Sequence, residues 1–209
     1  MKKNIPSKLN TENLIEISKL IGGKIPYFVF FGTLLGITRN GKIIENDDDI
    51  DIYINIKDRK KLIDTLILNN YNICLDKYPN TTDTFLQVAI KKENYITLID
   101  FYFYTKSKHI LIEKWNFNAI PNKKNYHLHI PNNIVFPIKN HSFQGENICI
   151  PYNSPAICTY LYGKKWKNKF LKKNEYQTLI ILNRPCIFIG KYNKFLFKIL
   201  VKAKKILPI

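Results

Sequence analysis

The chain has 209 residues, 45% of them hydrophobic, enough to bury a core as one domain or as one domain with an appended subdomain. Thirty-three Lys and Arg against sixteen Asp and Glu give a formal net charge of +17, so an anionic partner is expected: nucleotide phosphates, nucleic acid or an acidic membrane face. Cys74, Cys149, Cys158 and Cys186 form no Cys-x-x-Cys pair, which argues against a zinc site or a disulfide framework.

The amino-terminal segment lacks the apolar core of a signal peptide, and no run reaches the roughly 18 apolar residues that span a bilayer. A cytoplasmic protein with reduced thiols is expected. The charge is uneven: residues 41–104 hold eight basic and eleven acidic side chains, whereas residues 105–209 hold nineteen basic and three acidic ones. The acidic stretch therefore needs its own explanation.

In chain order, Asn10 or Thr11 can cap a first helix with Leu14, Ile17, Leu20 and Ile21 on its apolar stripe, and Gly22-Gly23 stops it. "PYFVFFG" follows as a short buried strand ending at Gly32, and "TLLGITRNG" as a brief helix broken at Asn40-Gly41. From Asp49 the pattern alternates strictly. Ile50, Ile52 and Ile54 face one side, and Asp49, Asp51 and Tyr53 the other. Asp58 is a candidate cap for a helix that buries Leu62, Ile63, Leu66 and Ile67.

"TFLQVAIKKENYITLIDFYFYT" has the form of a hairpin that turns at Glu93-Asn94, and Asp100 lies inside its apolar second strand. A lone carboxylate there is costly to bury unless it is paired or holds a cation. Beyond Thr105, "HLHIP" and "NICIP" are short strands, and a helix begins near Ser154-Pro155.

Asp49 and Asp51 from one strand and Asp100 from a neighbouring one would offer the hard oxygen ligands that Mg²⁺ prefers, with Mn²⁺ as the alternative. Gly32-Thr33, where strand becomes helix, could receive a phosphate on backbone N–H groups and a hydroxyl, and Arg39 could offset the remaining charge. Together these describe a phosphoryl or nucleotidyl transfer site. Taken alone, an acidic cluster is more often a solvated loop, and the combination is what favours a site. Asp47 and Asp48 are the members expected to face solvent or to cap the strand. Asp47 stays an auxiliary metal candidate because it shares parity with Asp49 and Asp51, and Asp48 is expected to face away. Gln87 and Lys91, outward on the hairpin, are candidates to touch the nucleotide by adjacency to the strand of Asp100.

"FGTLLGITRNGKIIENDDDIDIYI" resembles the signature of the LicD and fukutin-related family, and "FPIKNHSFQGENICIPYNSPAICTYLYGKKWKN" is similar to its later block. The match runs from Tyr27 to Trp166; Glu45-Asn46 departs from the family's proline-tryptophan step, and 105–136 finds no counterpart. The resemblance implies an α/β (α+β) nucleotidyltransferase-like fold with a small mixed central sheet flanked by helices. It also implies transfer of a phospho-substituent, such as phosphocholine or a polyol phosphate, from a cytidine diphosphate donor to a glycan. On this match Gly32 and Thr33 form the phosphate-binding turn, Asp49 and Asp51 the metal pair, and Asp100 the third carboxylate.

His127 and His129 could bind metal or act as a base, but with no third ligand they read as strand histidines. "KYNKFLFKILVKAKKILPI" sets lysines at spacings of three and four against an apolar face, the pattern of an amphipathic helix lying on an anionic membrane or packed on the domain.

The expected organisation is a catalytic domain over 1–189, with a core at 24–104 and a later block at 105–189, followed by the basic helix over 190–209. The expected protein is a Mg²⁺-dependent transferase, peripheral at the inner membrane face, that takes a CDP-linked donor and a glycan acceptor, lipid-linked or free. A nucleotidyltransferase that moves a nucleoside monophosphate is the rival enzyme. A basic membrane or nucleic-acid scaffold is the rival of another class, and it is disfavoured because no aromatic platform interleaves with the basic residues.

Overall fold

The computed structural model describes residues 6–74, 84–92, 94–113, 128–168, 176–181 and 184–189, the last two segments as backbone only. The basic helix expected over 190–209 and His127 lie outside the described residues.

Helix α1 (Ser7–Ile21) begins three residues before the expected cap. Asn10 and Asn13 are inside it, on the same face as Leu14, Ile17 and Ile21, and all are buried. Asn10 does not cap the helix because its amide is used elsewhere: Nδ2 donates to the Asp47 carbonyl at 2.8 Å. Asn13 Nδ2 donates to Thr97 Oγ1 at 2.6 Å, so two asparagines tie the helix to the sheet it covers.

Strand β1 (Tyr27–Val29) leads into helix α2 (Phe31–Asn40), which ends at Gly41 in the left-handed conformation, as the Asn-Gly pair implies. Strand β2 (Asp49–Asn55) runs antiparallel to β1. A 3-10 turn (Ile56–Asp58) then precedes helix α3 (Arg59–Leu68). Asp58 makes no capping hydrogen bond with its side chain; Asn55 caps the preceding turn by accepting from the Lys57 N–H at 3.0 Å. Helix α3 buries Leu62 and Leu66, while Ile67 stands 61% exposed, so its buried stripe is narrower than its apolar residues suggest.

Strands β3 (Asn72–Cys74), β4 (Phe85–Lys92) and β5 (Tyr95–Lys106) complete the main sheet in the order β1-β2-β5-β4-β3. The β4–β5 hairpin falls where the alternation places it. Strand β2 is parallel to β5, whereas β1–β2, β4–β5 and β3–β4 are antiparallel, which makes the sheet mixed. Strands β6 (Ile110–Glu113) and β7 (Leu128–Pro131) extend it from the end of β5, and β6 was not foreseen. The short helix α4 (Asn132–Val135) leads to the hairpin β8 (Lys139–Phe143) and β9 (Glu146–Ile150). Helix α5 (Ser154–Tyr162) carries Pro155 in its first turn, with Asn153 capping the Ala156 N–H at 3.1 Å. Trp166 is buried against its end, and its indole N–H donates to Thr159 at 3.0 Å. A further hairpin, β10 (Tyr176–Ile181) and β11 (Arg184–Ile189), closes the described chain.

Both faces of the sheet are covered. Ile50, Ile52 and Ile54 are fully buried, and so is Tyr53 on the opposite face, within an aromatic cluster of Phe28, Phe30, Phe31, Tyr102 and Tyr104. Burial, with the charge of Asp58 adding to it, pushes the Tyr104 hydroxyl up to about 12. A raised tyrosine pKa stabilises the fold fully below the unfolded value of about 10 and loses that contribution as pH rises toward the folded one. The unfolding midpoint should therefore fall between about pH 10 and 12, and Tyr104→Phe should flatten that fall, as read by thermal melts across the range.

Candidate functional site

The strands bring the carboxylates together. Asp51 and Asp100 are register partners across the parallel β2–β5 pair, and Asp49, two residues earlier on β2, shares their face. Carboxylate oxygens of Asp49, Asp51 and Asp100 all lie within 4.8 Å of one another, with Asp51 and Asp100 only 4% and 7% exposed and Asp49 half-buried. Behind them on the same face stand Tyr53 and Tyr102, ring centroids 5.5 Å apart, so the acidic group has an aromatic floor.

Asp51 and Asp100 are held by neighbours. Thr33 and Asp51 bond reciprocally: Asp51 N–H donates to Thr33 Oγ1 at 2.8 Å, and Thr33 N–H donates to Asp51 Oδ2 at 3.3 Å. The Thr33 hydroxyl, expected to receive a phosphate, is buried and accepts from the Asp51 N–H, which leaves its own O–H as a donor. Gln87, opposite Asp100 in the β4–β5 register, donates to Asp100 Oδ1 at 2.9 Å, and the Tyr102 hydroxyl approaches Oδ2 at 3.5 Å. Tyr102 was missed, although its position two residues after Asp100 on the same strand face is a signal in the sequence.

Asp47 and Asp48 depart from expectation. Asp47 is 2% exposed rather than solvent-facing, and carboxylate oxygens of Asp47, Asp48 and Asp49 also lie within 4.8 Å of one another. The reason is the path of residues 41–48, which fold back along α2. A Cβ on Gly36 would lie 2.6 Å from the Lys42 carbonyl, and one on Gly32 would lie 3.1 Å from Asp47 Oδ2 and 3.4 Å from Asp51 Oδ2. Two glycines one helical turn apart therefore make the groove that admits the acidic loop. The Asn10 amide and the Leu98 N–H, which donates to the Asp48 carbonyl at 3.0 Å, hold that loop from α1 and β5.

Phe31, at the strand-to-helix turn, has φ 38°, a conformation that costs a bulky residue about 1–3 kcal/mol. Its ring is wedged among Phe30, Tyr53 and Tyr102 at 5.0, 5.5 and 5.1 Å, and that packing holds the turn in place.

Two expected residues lie elsewhere. Arg39 is in the last turn of α2, about 9 Å along the axis from Thr33, where its charge is felt by Cys158 on α5. Burial still pushes the Cys158 thiol up to about 12. Lys91 is exposed, four residues and roughly 13 Å along β4 from Gln87. His129 lies on β7, where its carbonyl accepts from the Tyr160 hydroxyl.

The donor set fits a hard divalent cation. It is all oxygen, Asp51 Oδ2 borders the space beside Gly32, and two carboxylates within 4.8 Å of each other repel by roughly 3 kcal/mol or more at an effective dielectric of about 20, a cost that a cation relieves.

A family model described as LicD/FKTN/FKRP, nucleotidyltransferase domain, matches residues 24–153. Among solved structures the chain is similar to the lincosamide antibiotic adenylyltransferase LnuA in its lincomycin-bound crystal structure. That likeness has 17% identity and a TM-score of 0.44 and covers 71% of this chain and 82% of that chain. No curated protein matches the chain.

Thr33→Val keeps the shape of the side chain and removes the acceptor for the buried Asp51 N–H. It should cost about 1–3 kcal/mol in denaturant unfolding. Gly36→Ala should destabilise by about as much, because a backbone carbonyl must move to admit the methyl group.

Proposed function

Because the chain belongs to the LicD/FKTN/FKRP nucleotidyltransferase-domain family, we propose that it transfers a phospho-substituent from a CDP-linked donor to a glycan hydroxyl. Family membership supports phosphotransferase-type activity on glycans. The finer reading is a Mg²⁺-dependent transfer of a group of the phosphocholine or polyol phosphate type to a cell-surface glycan of the capsule, lipopolysaccharide or teichoic acid kind.

The observation that carries this reading is the meeting of Asp49, Asp51 and Asp100 within 4.8 Å beside the Gly32-Thr33 turn. These three carboxylates would hold the cation, with Asp47 at their edge. When bound, Mg²⁺ supplies Lewis-acid neutralisation of a pyrophosphate. Thr33 fixes Asp51, and Gln87 fixes Asp100 by occupying Oδ1, so neither carboxylate has to reorganise when substrate arrives. The aromatic floor of Tyr53 and Tyr102 keeps water away from one side of the group. Asp49, half-exposed beside two buried partners, is the carboxylate open to an attacking hydroxyl and takes its proton. The basic segment 190–209 would bring the protein to the inner face of an anionic membrane, where a lipid-linked acceptor is assembled.

The test uses the full chain, a CDP-linked donor labelled separately in its cytidine and in its phospho-substituent, Mg²⁺ and a panel of surface glycans. The expected result is release of cytidine monophosphate with the substituent on the glycan. Cytidine label on the acceptor would refute the proposal in favour of nucleotidyl transfer. Asp49→Asn with Asp51→Asn should lower transfer by at least about a hundredfold while leaving the far-UV circular dichroism unchanged.

A further inference from the structure

We propose that a second site, at the far end of β5, binds an organic phosphate monoester. A pocket of about 590 Å³ opens there, lined by Lys106, Lys108, His109, Asn132, Asn133 and Phe136. Lys106 is six residues from Asp100 on the same strand, about 20 Å away, so a small group held at the carboxylates does not reach it. The pocket stands whether or not the carboxylate site transfers a phospho-substituent.

Its electrostatics have one sign. Among the described residues two lysines and a histidine line it and no acidic side chain does, the reverse of the carboxylate site on the same strand. Two lysine charges match a phosphate monoester, which carries close to two negative charges at neutral pH; a carboxylate would balance only one lysine. The volume falls in the range of small-molecule sites and far exceeds the need of a bare anion. Phe136 and Asn133 add apolar and polar surface to the lining for an organic portion.

The cationic groups are carried on a fixed frame. Ser107 closes the turn between β5 and β6, its N–H and hydroxyl both donating to the Ile110 carbonyl at 2.9 and 3.0 Å. Asn132, 9% exposed, donates from Nδ2 to the Ser107 carbonyl at 2.8 Å and from its backbone N–H to the His109 carbonyl at 2.9 Å. These bonds pin the turn bearing Lys108 and His109 onto α4. Asn132 Oδ1 is buried and takes no hydrogen bond among the described residues. Lys106 Nζ lies 3.8 Å from the centroid of the Phe136 ring, which holds that charge at the rim of the pocket. A turn already fixed in this way lowers the ordering cost of binding.

The test measures binding of glucose 6-phosphate, of inorganic phosphate and of a short-chain phosphatidic acid kept monomeric in solution, with the matching uncharged diacylglycerol as its control, to the full chain at low ionic strength. It compares the natural chain with Lys106→Gln/Lys108→Gln and with Lys8→Gln/Lys60→Gln, which loses the same charge from exposed surface ion pairs elsewhere. The proposal expects glucose 6-phosphate or phosphatidic acid to bind more tightly than inorganic phosphate. Whichever binds identifies the source as soluble or lipid, and its affinity should fall at least about a hundredfold in the pocket variant only. Equal loss in both variants, undiminished binding in the pocket variant, binding of neither organic probe, or inorganic phosphate binding as tightly as the esters would each overturn it.

Discussion

Two buried carboxylates facing each other across a pair of parallel strands set the terms for the rest of this structure. Asp51 and Asp100 are held in register by the β2–β5 ladder and cannot relax apart without breaking it. Like charges at such separation repel by several kcal/mol unless they are hydrogen-bonded and share a cation, a magnitude comparable with a good part of a domain's net stability. The neighbours follow from that constraint: a threonine that bonds Asp51 in both directions, a glutamine opposite Asp100, and a glycine where any side chain would press on the carboxylates.

The same constraint accounts for the buried polar groups of α1 and the glycine spacing of α2. Asn10 would be a poor choice for an apolar helix face, yet it supplies the donor that holds the Asp47 carbonyl. Gly32 and Gly36 lower the intrinsic helix propensity of α2, and in return the chain returning toward β2 can lie against the helix closely enough to deliver Asp47, Asp48 and Asp49. The positive φ of Phe31 belongs to the same turn, held by three aromatic neighbours.

Much of this architecture was legible beforehand wherever one local rule governed. Strict alternation placed β2 and the β4–β5 hairpin, Asn-Gly ended α2, and Ser-Pro opened α5. Asp49, Asp51 and Asp100 could be grouped because strand parity gives the face and burial cost gives the partner. What escaped was decided by tertiary contact. Asn10 has good cap chemistry but a better use inside the helix, Asp58 stands at the cap of α3 without a capping bond, and Ile67 falls off the covered stripe. Asp47 and Asp48 appeared solvent-facing because only the glycine groove reveals that their loop is drawn inward. The link between Thr33 and Asp51 spans eighteen residues, beyond any local pattern. The pocket beside Phe136 depends on a turn and a helix brought together from separate segments, and no motif announced it.

Asp49, Asp51 and Asp100 should act as a single cation site. Anomalous diffraction from crystals of the full chain equilibrated with Mn²⁺ tests it most directly. The account predicts one dominant manganese peak bounded by those three carboxylates beside Gly32, lost in Asp51→Asn crystals grown in the same form. A dominant peak elsewhere, or none at those carboxylates at saturating Mn²⁺, would contradict it.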